Sequence, residues 1–314
     1  MRIVLLILLI IILLLLTAGY ILFYIGCVRI KKKPDPALAG FLRPYLDEIR
    51  DGIQWYKERT TERVEIASCD GLRLVGWFLP AKDARGTLLL VHGYRSDHIC
   101  DFGAVYRDLH GMGWNILAVD QRAHGESDGK YICFGVKERY DVRDWATYLF
   151  DRFGPEHPVV LDGVSMGCSS VLMSLNTGLP ENVRGAIADC GYTTPYDEFV
   201  YLFRNHWKIP IPVHPLMDIG EGFAQIFARF GFKDASTLKA LEESTLPVLF
   251  VHGGKDRLVP PVFSRQNYEA CRGEKNLVIV PEASHGTSYL ADKAECQAAL
   301  ADFLDRCAVP QNVM

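Results

Sequence analysis

The fold is decided by the stretch Leu161-Asp162-Gly163-Val164-Ser165-Met166-Gly167-Cys168. It contains the pattern Gly-x-Ser-x-Gly, preceded by apolar residues and followed by a helix-like run from Ser169 to Leu175. This order predicts a buried strand, a sharp turn and a helix. The two glycines leave room where the strand and the helix pass close together. We therefore expect Ser165 at a helix N-terminus, where backbone N–H groups and the helix dipole stabilise developing negative charge.

Short apolar runs on both sides of this stretch predict the other strands. A hairpin is expected from Val64–Ala67 and Leu72–Leu79. Six further strands are expected at Thr87–Val91, Asn115–Val119, Val159–Leu161, Gly185–Ala188, Pro247–Val251 and Leu277–Val280. Helical stretches alternate with them, among them Glu138–Phe150, Val262–Cys271 and Leu290–Arg306. Near-continuous apolar strands that alternate with helices predict an α/β fold with a mostly parallel, doubly wound sheet of eight strands.

The segment from Tyr192 to about Ser244 interrupts this alternation. It contains no convincing strand but many aromatic residues, and residues 209–215 are rich in proline. Connections this long in compact domains are usually functional. We therefore expect a helical cap insertion at about 192–244 that roofs the Ser165 pocket; an ordinary sheet-covering helix with a long loop is the alternative. Four carboxylates of this segment are expected to face solvent: Asp197, Glu198, Asp218 and Glu221.

The N-terminus is apolar from Ile3 to Ile25, a run of 23 residues. As a helix this run would span roughly 34 Å, enough for a hydrocarbon core of about 30 Å. A cleaved signal peptide is the alternative, but its apolar region is usually about 7–15 residues, and the small-residue site Ala37-Leu38-Ala39 lies far from the run. We expect a retained single-pass anchor with its basic flank at residues 1–33. Because Arg29 and three lysines follow the span, the positive-inside rule places the remaining chain in the cytoplasm.

Residues 34–60 are expected to link this anchor to a globular domain at residues 61–308. Pro34-Asp35-Pro36 predicts a stiff exit from the anchor. Apolar residues then recur at helical spacing: Leu38, Phe41, Leu42, Tyr45, Leu46, Ile49, Ile53 and Tyr56. This spacing predicts an amphipathic helix that packs on the globular domain or lies at the bilayer surface.

Composition limits the classes of protein that fit. A chain of 314 residues can bury the core of one large α/β domain. A net charge of −4 offers no polybasic surface to a nucleic acid, so none is expected as a partner. The nine cysteines form no C-x-x-C pair and no cluster with histidines, which disfavours a zinc site and a disulfide framework. Reduced thiols are typical of a domain that faces the cytosol.

A nucleophilic serine requires a base, an acid that orients the base, and donors for the oxyanion. His285 follows the last predicted strand and is the expected base. Asp256, just past the seventh strand, is the expected acid, and Asp189, after the sixth strand, is the alternative. The carboxyl ends of parallel strands meet at one edge of a sheet, so these residues are expected to lie near Ser165.

The expected oxyanion donors are two backbone N–H groups. One belongs to Met166, directly after the nucleophile, and the other to Tyr94 in the loop after the third strand. Four polar residues of the neighbouring loops are expected to organise those loops rather than to react: His92, Asp120, Arg122 and His124.

Five motifs, in this order, resemble the α/β-hydrolase superfamily. They are Val91-His92-Gly93-Tyr94, Asp120-Gln121-Arg122-Ala123-His124-Gly125-Glu126-Ser127, Gly163-Val164-Ser165-Met166-Gly167, Gly253-Gly254-Lys255-Asp256 and Ser284-His285-Gly286. Within the superfamily the chain resembles the serine-aminopeptidase-like and acylaminoacyl-peptidase-like group, especially bacterial members with an N-terminal membrane span. The resemblance covers roughly Val64 to Asp305. It implies the α/β-hydrolase fold, a Ser165–Asp256–His285 triad and an oxyanion hole at Tyr94 and Met166.

These features predict a membrane-anchored serine hydrolase that cleaves carboxylic esters or thioesters through an acyl-enzyme. A small-molecule or lipid-like acyl compound is the expected substrate, and the chemistry needs no metal or organic cofactor. The resemblance does not identify the substrate, because members of the superfamily have several different hydrolytic activities. A serine peptidase that releases short N-terminal units is therefore an alternative. An alternative from another class is a catalytically silent, membrane-tethered binding or scaffold protein.

Overall fold

A mostly parallel sheet forms the centre of the molecule. The computed structural model describes residues 1–31, 35, 40–207 and 213–308. Its eight strands are Glu62–Ala67 (β1), Arg73–Leu79 (β2), Thr87–Val91 (β3), Asn115–Asp120 (β4), Val159–Val164 (β5), Val183–Asp189 (β6), Val248–Gly253 (β7) and Lys275–Val280 (β8). They pair in the order β1-β2-β4-β3-β5-β6-β7-β8. Only β2 runs opposite to the others, so the predicted sheet is confirmed.

Helices cover both faces of this sheet. The α-helices are Arg2–Cys27 (α1), Leu46–Lys57 (α2), Tyr106–Gly111 (α3), Glu138–Phe153 (α4), Met166–Ser174 (α5), Pro195–Tyr201 (α6), Val213–Phe223 (α7), Thr237–Glu243 (α8), Val262–Ala270 (α9), Ser288–Ala291 (α10) and Lys293–Ala308 (α11). A 3₁₀ helix at Gly40–Tyr45 precedes α2, and π-helical turns occupy Leu202–His206 and Ala224–Ala228. The three helices named from the sequence are all present.

The strand β3 shows how the core is divided between the two faces. All five of its residues are buried. Leu88 and Leu90 belong to a cluster with residues of α3 and α11, whereas Leu89 and Val91 belong to a cluster with residues of α4, α5 and α8. This alternation follows from the two-residue period of a strand. Because β3 to β8 are parallel, their carboxyl ends open at one edge, which carries Ser165 and its expected partners.

The segment after β6 contains helices and no strand among its described residues, as expected. It forms a third apolar cluster together with the end of α1. Gly19, Phe23 and Cys27, four residues apart on one face of α1, are buried, while residues 2–17 are exposed along their whole length. A Cβ atom at Gly19 would lie 2.3 Å from Cγ2 of Ile219, so glycine allows α1 to approach α7 closely.

The linker helix packs on the globular domain, the first of its two expected placements. Ile49, Gly52 and Tyr56 of α2 are buried. A Cβ atom at Gly52 would lie 1.7 Å from the carbonyl oxygen of Gly103, which shows how closely α2 approaches the chain ahead of α3. Other sequence features lie outside the described residues: the proline exit at 34 and 36, the Ala37-Leu38-Ala39 site and residues 209–212 of the Pro-rich stretch.

Candidate active site

Ser165 occupies a sharp turn between β5 and α5. Its backbone has φ 56° and ψ −118°, a conformation that residues other than glycine rarely adopt. A Cβ atom at Gly163 would lie 2.4 Å from the carbonyl oxygen of Gly167, and one at Gly167 would lie 1.9 Å from that of Val91. Glycine is therefore required at both positions, because a Cβ atom would collide with the backbone that passes close by. The turn places the Ser165 side chain at the N-terminus of α5.

His285 joins Ser165 to Asp256. Its Nε2 atom lies 2.9 Å from Oγ of Ser165, and its Nδ1 atom lies 2.7 Å from Oδ2 of Asp256. When the Nδ1–H group donates to the carboxylate, Nε2 is left to accept the hydroxyl proton of Ser165. The backbone N–H groups of Leu258 and Val259 hold the other oxygen of Asp256, at 2.8 and 3.0 Å. The contacts expected among the three side chains are thus present.

Electrostatics favour an ionised Asp256 beside His285. Burial alone would raise the pKa of Asp256, but the charge of His285 and hydrogen bonds from His252 and His285 outweigh burial and hold this pKa well below its usual range. Burial lowers the pKa of His285, yet the charge and hydrogen bond of Asp256 outweigh that effect and raise it above the usual value. The carboxylate therefore stabilises the imidazolium form that a general base passes through.

Asp189, the alternative acid, lies nearby without a hydrogen bond to His285. Its backbone carbonyl accepts the N–H of Ser165 at 2.8 Å. Its buried Oδ1 atom has no hydrogen-bond partner among the described residues. The geometry thus pairs His285 with Asp256 rather than with Asp189.

The loop after β3 brings Tyr94 close to the serine. A Cβ atom at Gly93 would lie 3.2 Å from Cβ of Ser165, so this loop passes directly over the nucleophile. Met166 is the first residue of α5, where the N–H groups have no partner within the helix. The side chain of Tyr94 points elsewhere, because its hydroxyl donates to the carbonyl oxygen of Gly26 at 2.9 Å. The loop that is expected to form half of an oxyanion hole is therefore bonded to the end of α1.

The two histidines near this loop have structural partners on both ring nitrogens. In His92, one nitrogen pairs with the carbonyl of Gly93 at 2.7 Å and the other accepts the N–H of Gln121 at 3.1 Å. His124 likewise pairs with the carbonyl of Arg122 at 2.9 Å and accepts the N–H of Arg95 at 3.0 Å. Burial, with a smaller contribution from His92, lowers the pKa of His124 to about 3. These contacts match the loop-organising role expected of both.

Asp120 and Arg122 also hold loops in place. The Arg122 guanidinium donates to both oxygens of Asp141 at 2.6 Å and to Asp70 at 2.8 Å. The carboxylate of Asp120 pairs with Nδ1 of His98 at 2.8 Å and accepts the N–H of Glu126 at 2.8 Å. Their charges are satisfied by these partners, as the sequence led us to expect.

A cavity of about 1400 Å³ adjoins Ser165 and His285. The linker contributes both apolar and charged side chains to its lining: Phe41, Leu42, Ile49 and Ile53, and Asp35, Arg50 and Lys57. The Phe41 ring packs edge-on against the His285 ring, with centroids 5.8 Å apart. No described residue of 192–244 lines this cavity. The expectation that this segment roofs the pocket is therefore wrong for its described part, because its apolar side chains pack against α1 instead.

Two buried carboxyl groups were not recognised from the sequence. Glu198 was expected to face solvent, but it is buried, and its Oε2 atom has no hydrogen-bond partner among the described residues. It lies on the inner face of α6, which begins where Thr194 caps the N–H of Asp197. Asp162, inside the apolar strand that leads to Ser165, lines the cavity. A charged residue within a buried run was the signal that could have singled out Asp162.

The potential ligand atoms around His285 fit a chain of hydrogen bonds better than a metal site. Ligand atoms of Cys190, Asp256 and His285 lie within 4.8 Å of one another. However, His285 and Asp256 already share a hydrogen bond. Burial raises the pKa of Cys190 well above its usual value, which disfavours the thiolate that a metal would need.

Comparisons with known proteins agree with this fold. A family model described as serine aminopeptidase, S33, matches residues 82–195. The uncharacterized protein YqkD of Bacillus subtilis is 25% identical over 276 residues, 88% of each chain. A monoacylglycerol lipase of Mycolicibacterium smegmatis is 26% identical over 252 residues, 66% of this chain and 83% of the lipase. Among solved structures, a Pyrococcus furiosus esterase superposes with a TM-score of 0.63 at 22% identity, covering 79% of this chain and 92% of the esterase. The chain therefore has the α/β-hydrolase fold, and over residues 82–195 it is similar to the serine aminopeptidase (S33) family.

Proposed function

We propose that this protein is a membrane-anchored serine hydrolase that cleaves carboxylic esters or thioesters, with Ser165, His285 and Asp256 as its catalytic triad. One observation carries the proposal: His285 bridges Ser165 and Asp256 with separations of 2.9 and 2.7 Å. This is the arrangement of nucleophile, base and orienting acid that acyl transfer requires.

The geometry supports a two-step reaction. Oγ of Ser165 attacks the acyl carbonyl carbon while Nε2 of His285 takes the hydroxyl proton. The tetrahedral intermediate then collapses, its bond to the leaving oxygen or sulfur breaks, and His285 protonates the departing alcohol or thiol. In the second step His285 deprotonates a water molecule that attacks the acyl carbon. The bond between this carbon and Oγ of Ser165 then breaks, His285 returns the proton to Oγ, and the acid is released. Asp256 stays ionised and holds the imidazole in the required tautomer.

Backbone N–H groups of Tyr94 and Met166 would stabilise the oxyanion of both intermediates. Both lie next to Ser165, one in the loop over it and one at the start of α5. The helix dipole of α5 adds a favourable field at this position. Removing one such donor in a serine protease lowers kcat by about 10²–10³.

Ester hydrolysis is favoured over peptide hydrolysis by the relatives and by the cavity. Relatives and structural neighbours include proteins named monoacylglycerol lipase and esterase. The linker side chains Phe41, Leu42, Ile49 and Ile53 give the cavity an apolar part that suits an acyl chain. The family name supports a serine aminopeptidase as a second candidate. The segment 192–244 offers this candidate no described carboxylate in the cavity, although two carboxyl groups of the sheet, those of Asp162 and Asp189, do line it. A catalytically silent scaffold has less support, because the three side chains are aligned for reaction.

A substrate panel tests the ester assignment. We expect kcat/KM for p-nitrophenyl esters to rise from acetyl to hexanoyl, since each buried methylene contributes about 0.8 kcal/mol. Aminoacyl p-nitroanilides should be turned over far more slowly. Efficient cleavage of a free-amine anilide that is lost on N-acetylation would establish the peptidase instead. Absence of turnover across esters, thioesters and anilides would favour the scaffold.

The N-terminal helix supports a retained membrane anchor. It is 26 residues long and apolar enough to cross a bilayer, and only 6% of its most apolar part is buried. Its last turns belong to the folded domain: Phe23 and Cys27 are buried, and the N–H of Ile132 donates to the carbonyl of Cys27 at 2.7 Å. Cleavage of a signal peptide near Ala39 would remove these packed residues. We therefore propose retention of the helix.

We further propose the domain layout inferred from the sequence. It comprises the anchor and basic flank at residues 1–33, the linker at 34–60 and the hydrolase domain at 61–308, with a helical insertion at about 192–244 whose described part packs against α1. Basic residues after the anchor favour a cytoplasmic hydrolase domain. Since linker residues such as Phe41 and Ile53 roof the cavity, the linker contributes to the substrate site as well.

A further inference from the structure

Asp162 is a buried carboxyl group that has no partner within the described protein. It lies in β5, three residues before Ser165, and is 6% exposed. No described side chain or backbone group hydrogen-bonds to its carboxyl group, and no cation pairs with it, yet it lines the cavity beside Ser165. Burying a carboxylate without a partner is strongly unfavourable. The group is therefore neutral, hydrated by water in the cavity, or paired with a bound molecule.

Asp189 places a second carboxyl group on the same face. In the parallel register of β5 and β6, Asp162 is opposite Ile187 and Val164 is opposite Asp189, so the two aspartates are diagonal neighbours. Asp189 also lines the cavity, and its Oδ1 atom is buried without a hydrogen bond. No described basic side chain lies within ion-pairing distance of either carboxyl group.

Burial makes the two aspartates share a single negative charge near neutral pH. Burial, and to a smaller extent the charge of Asp189, raises the pKa of Asp162 to about 8. Burial raises the pKa of Asp189 to about 6, although nearby histidines oppose this. At pH 7, Asp189 is mostly ionised and Asp162 mostly protonated. The pair thus carries one negative charge, which one monovalent cation balances, and the bound cation would lower the pKa of Asp162.

Apolar side chains of β5, β6, β7 and α11 line the cavity together with Asp162. Val164, Ile187, Val251 and Leu300 line the same cavity. At about 3.3 Å per strand residue, Asp162 lies about 10 Å below Ser165. An acyl chain of about six carbons spans such a distance, and its methylene groups would contact these apolar side chains.

We propose that Asp162 and Asp189 bind the cationic amino end of the substrate's acyl chain, so that the preferred acyl group is an ω-aminoacyl chain of about six carbons. This inference rests on the proposed acyl-transfer role of Ser165. A neutral acyl chain of equal length would press its terminal methyl group against Asp162. A terminal ammonium group would instead supply hydrogen bonds to the Asp162 carboxyl group and to Oδ1 of Asp189, which lack them.

The experiment compares p-nitrophenyl esters of 6-aminohexanoic and heptanoic acids, which have similar length, on the full-length protein in detergent. After subtraction of the uncatalysed rate, kcat/KM at pH 7 should favour the aminoacyl ester by at least about tenfold, because its ammonium group gains a charged hydrogen bond that a methyl group cannot make. Asp162→Leu should abolish or reverse this ratio, and Asp162→Asn should reduce it. The exposed loop variant Glu156→Gln should leave it unchanged.

A binding measurement separates this inference from the catalytic proposal. With Ser165→Ala protein, hexylammonium should raise the melting temperature more than 1-hexanol does, and Asp162→Leu should remove the difference. Two results together would overturn the inference while leaving the hydrolase proposal intact. Both esters would be hydrolysed with equal kcat/KM, and hexylammonium and 1-hexanol would raise the melting temperature equally. Preference for the 6-hydroxyhexanoyl ester over the aminoacyl ester would overturn the cation assignment. Failure to hydrolyse any ester, with selective hexylammonium binding, would overturn the catalytic proposal alone.

Discussion

At the scale of single residues, the contact between Asp256 and His285 governs the proposed chemistry. Asp256 is held by two backbone N–H groups and lies 2.7 Å from Nδ1 of His285. We expect Asp256→Asn to lower kcat by about 10³–10⁴, because the amide favours the wrong tautomer of the base and does not stabilise the imidazolium. Steady-state kinetics with p-nitrophenyl hexanoate measures this loss, and circular dichroism confirms the fold.

Asp189→Asn is the matched control for this substitution. Asp189 makes no hydrogen bond to His285, so its variant should retain far more activity than Asp256→Asn. If Asp189→Asn lowers the activity more than Asp256→Asn does, the orienting acid is Asp189, at the end of β6.

The raised pKa of His285 predicts the acidic limb of the pH profile. The base must be neutral to accept the Ser165 proton, so kcat/KM falls as the pH drops through the pKa of His285. Because Asp256 raises that pKa, kcat/KM of the wild-type enzyme should fall with an apparent pKa above the usual histidine value of about 6.5. The residual activity of Asp256→Asn should show this limb at lower pH. An unchanged limb in that variant would mean that another group titrates.

At the scale of elements, the junction of α1 with the segment after β6 presents an apolar surface. Phe227 stacks on Phe23 with ring centroids 5.7 Å apart and lies 6.2 Å from Tyr20. Phe227 and the neighbouring Ile226 are nevertheless 47% and 72% exposed. This surface is continuous with the exposed apolar part of α1, so we expect both side chains to contact the bilayer interface.

Tryptophan quenching tests this contact. In vesicles that contain lipids brominated near the headgroup, the added tryptophan of Ile226→Trp should be strongly quenched. The matched variant Glu156→Trp carries its tryptophan ahead of β5, at the opposite edge of the sheet, and should be protected. Equal quenching of the two variants would contradict the proposed orientation.

The elements also show what the sequence was able to predict. Strands and the turn at Ser165 follow from local patterns of apolar residues and glycines, and the order Ser165, Asp256, His285 led to three side chains that are in contact. The roof was assigned to the wrong segment because aromatic content alone does not reveal a packing partner. That partner is α1, far away in sequence. The burial of Glu198 likewise depends on which face of a short helix meets the domain.

At the scale of the whole molecule, α1, the linker and the loop over Ser165 are physically connected. Tyr94 and Arg95, in the loop over Ser165, donate to carbonyl groups at the end of α1. Residues that follow α1, including Arg29 and Lys31, line the cavity. The cavity mouth therefore lies close to the exit of the proposed anchor, so that an amphiphilic acyl substrate held in the bilayer surface would be near the nucleophile.

Retention of the helix has a direct biochemical consequence. The full-length protein should remain with membranes after alkaline carbonate washing, because a bilayer-spanning helix of this length is not released by high pH. Mass spectrometry of the purified protein should find the N-terminal helix intact. A mature chain that begins after Ala39 would show that the helix is a cleaved signal peptide.

Covalent labelling tests the central claim, that Ser165 is a nucleophile activated by His285 and Asp256. A fluorophosphonate probe should add to the full-length protein, and peptide mass spectrometry should locate the adduct on Ser165. Ser165→Ala should remain folded and unlabelled, and Asp256→Asn should label much more slowly than wild type. Equal labelling of the Ser165→Ala protein, or an adduct on another residue, would contradict the account.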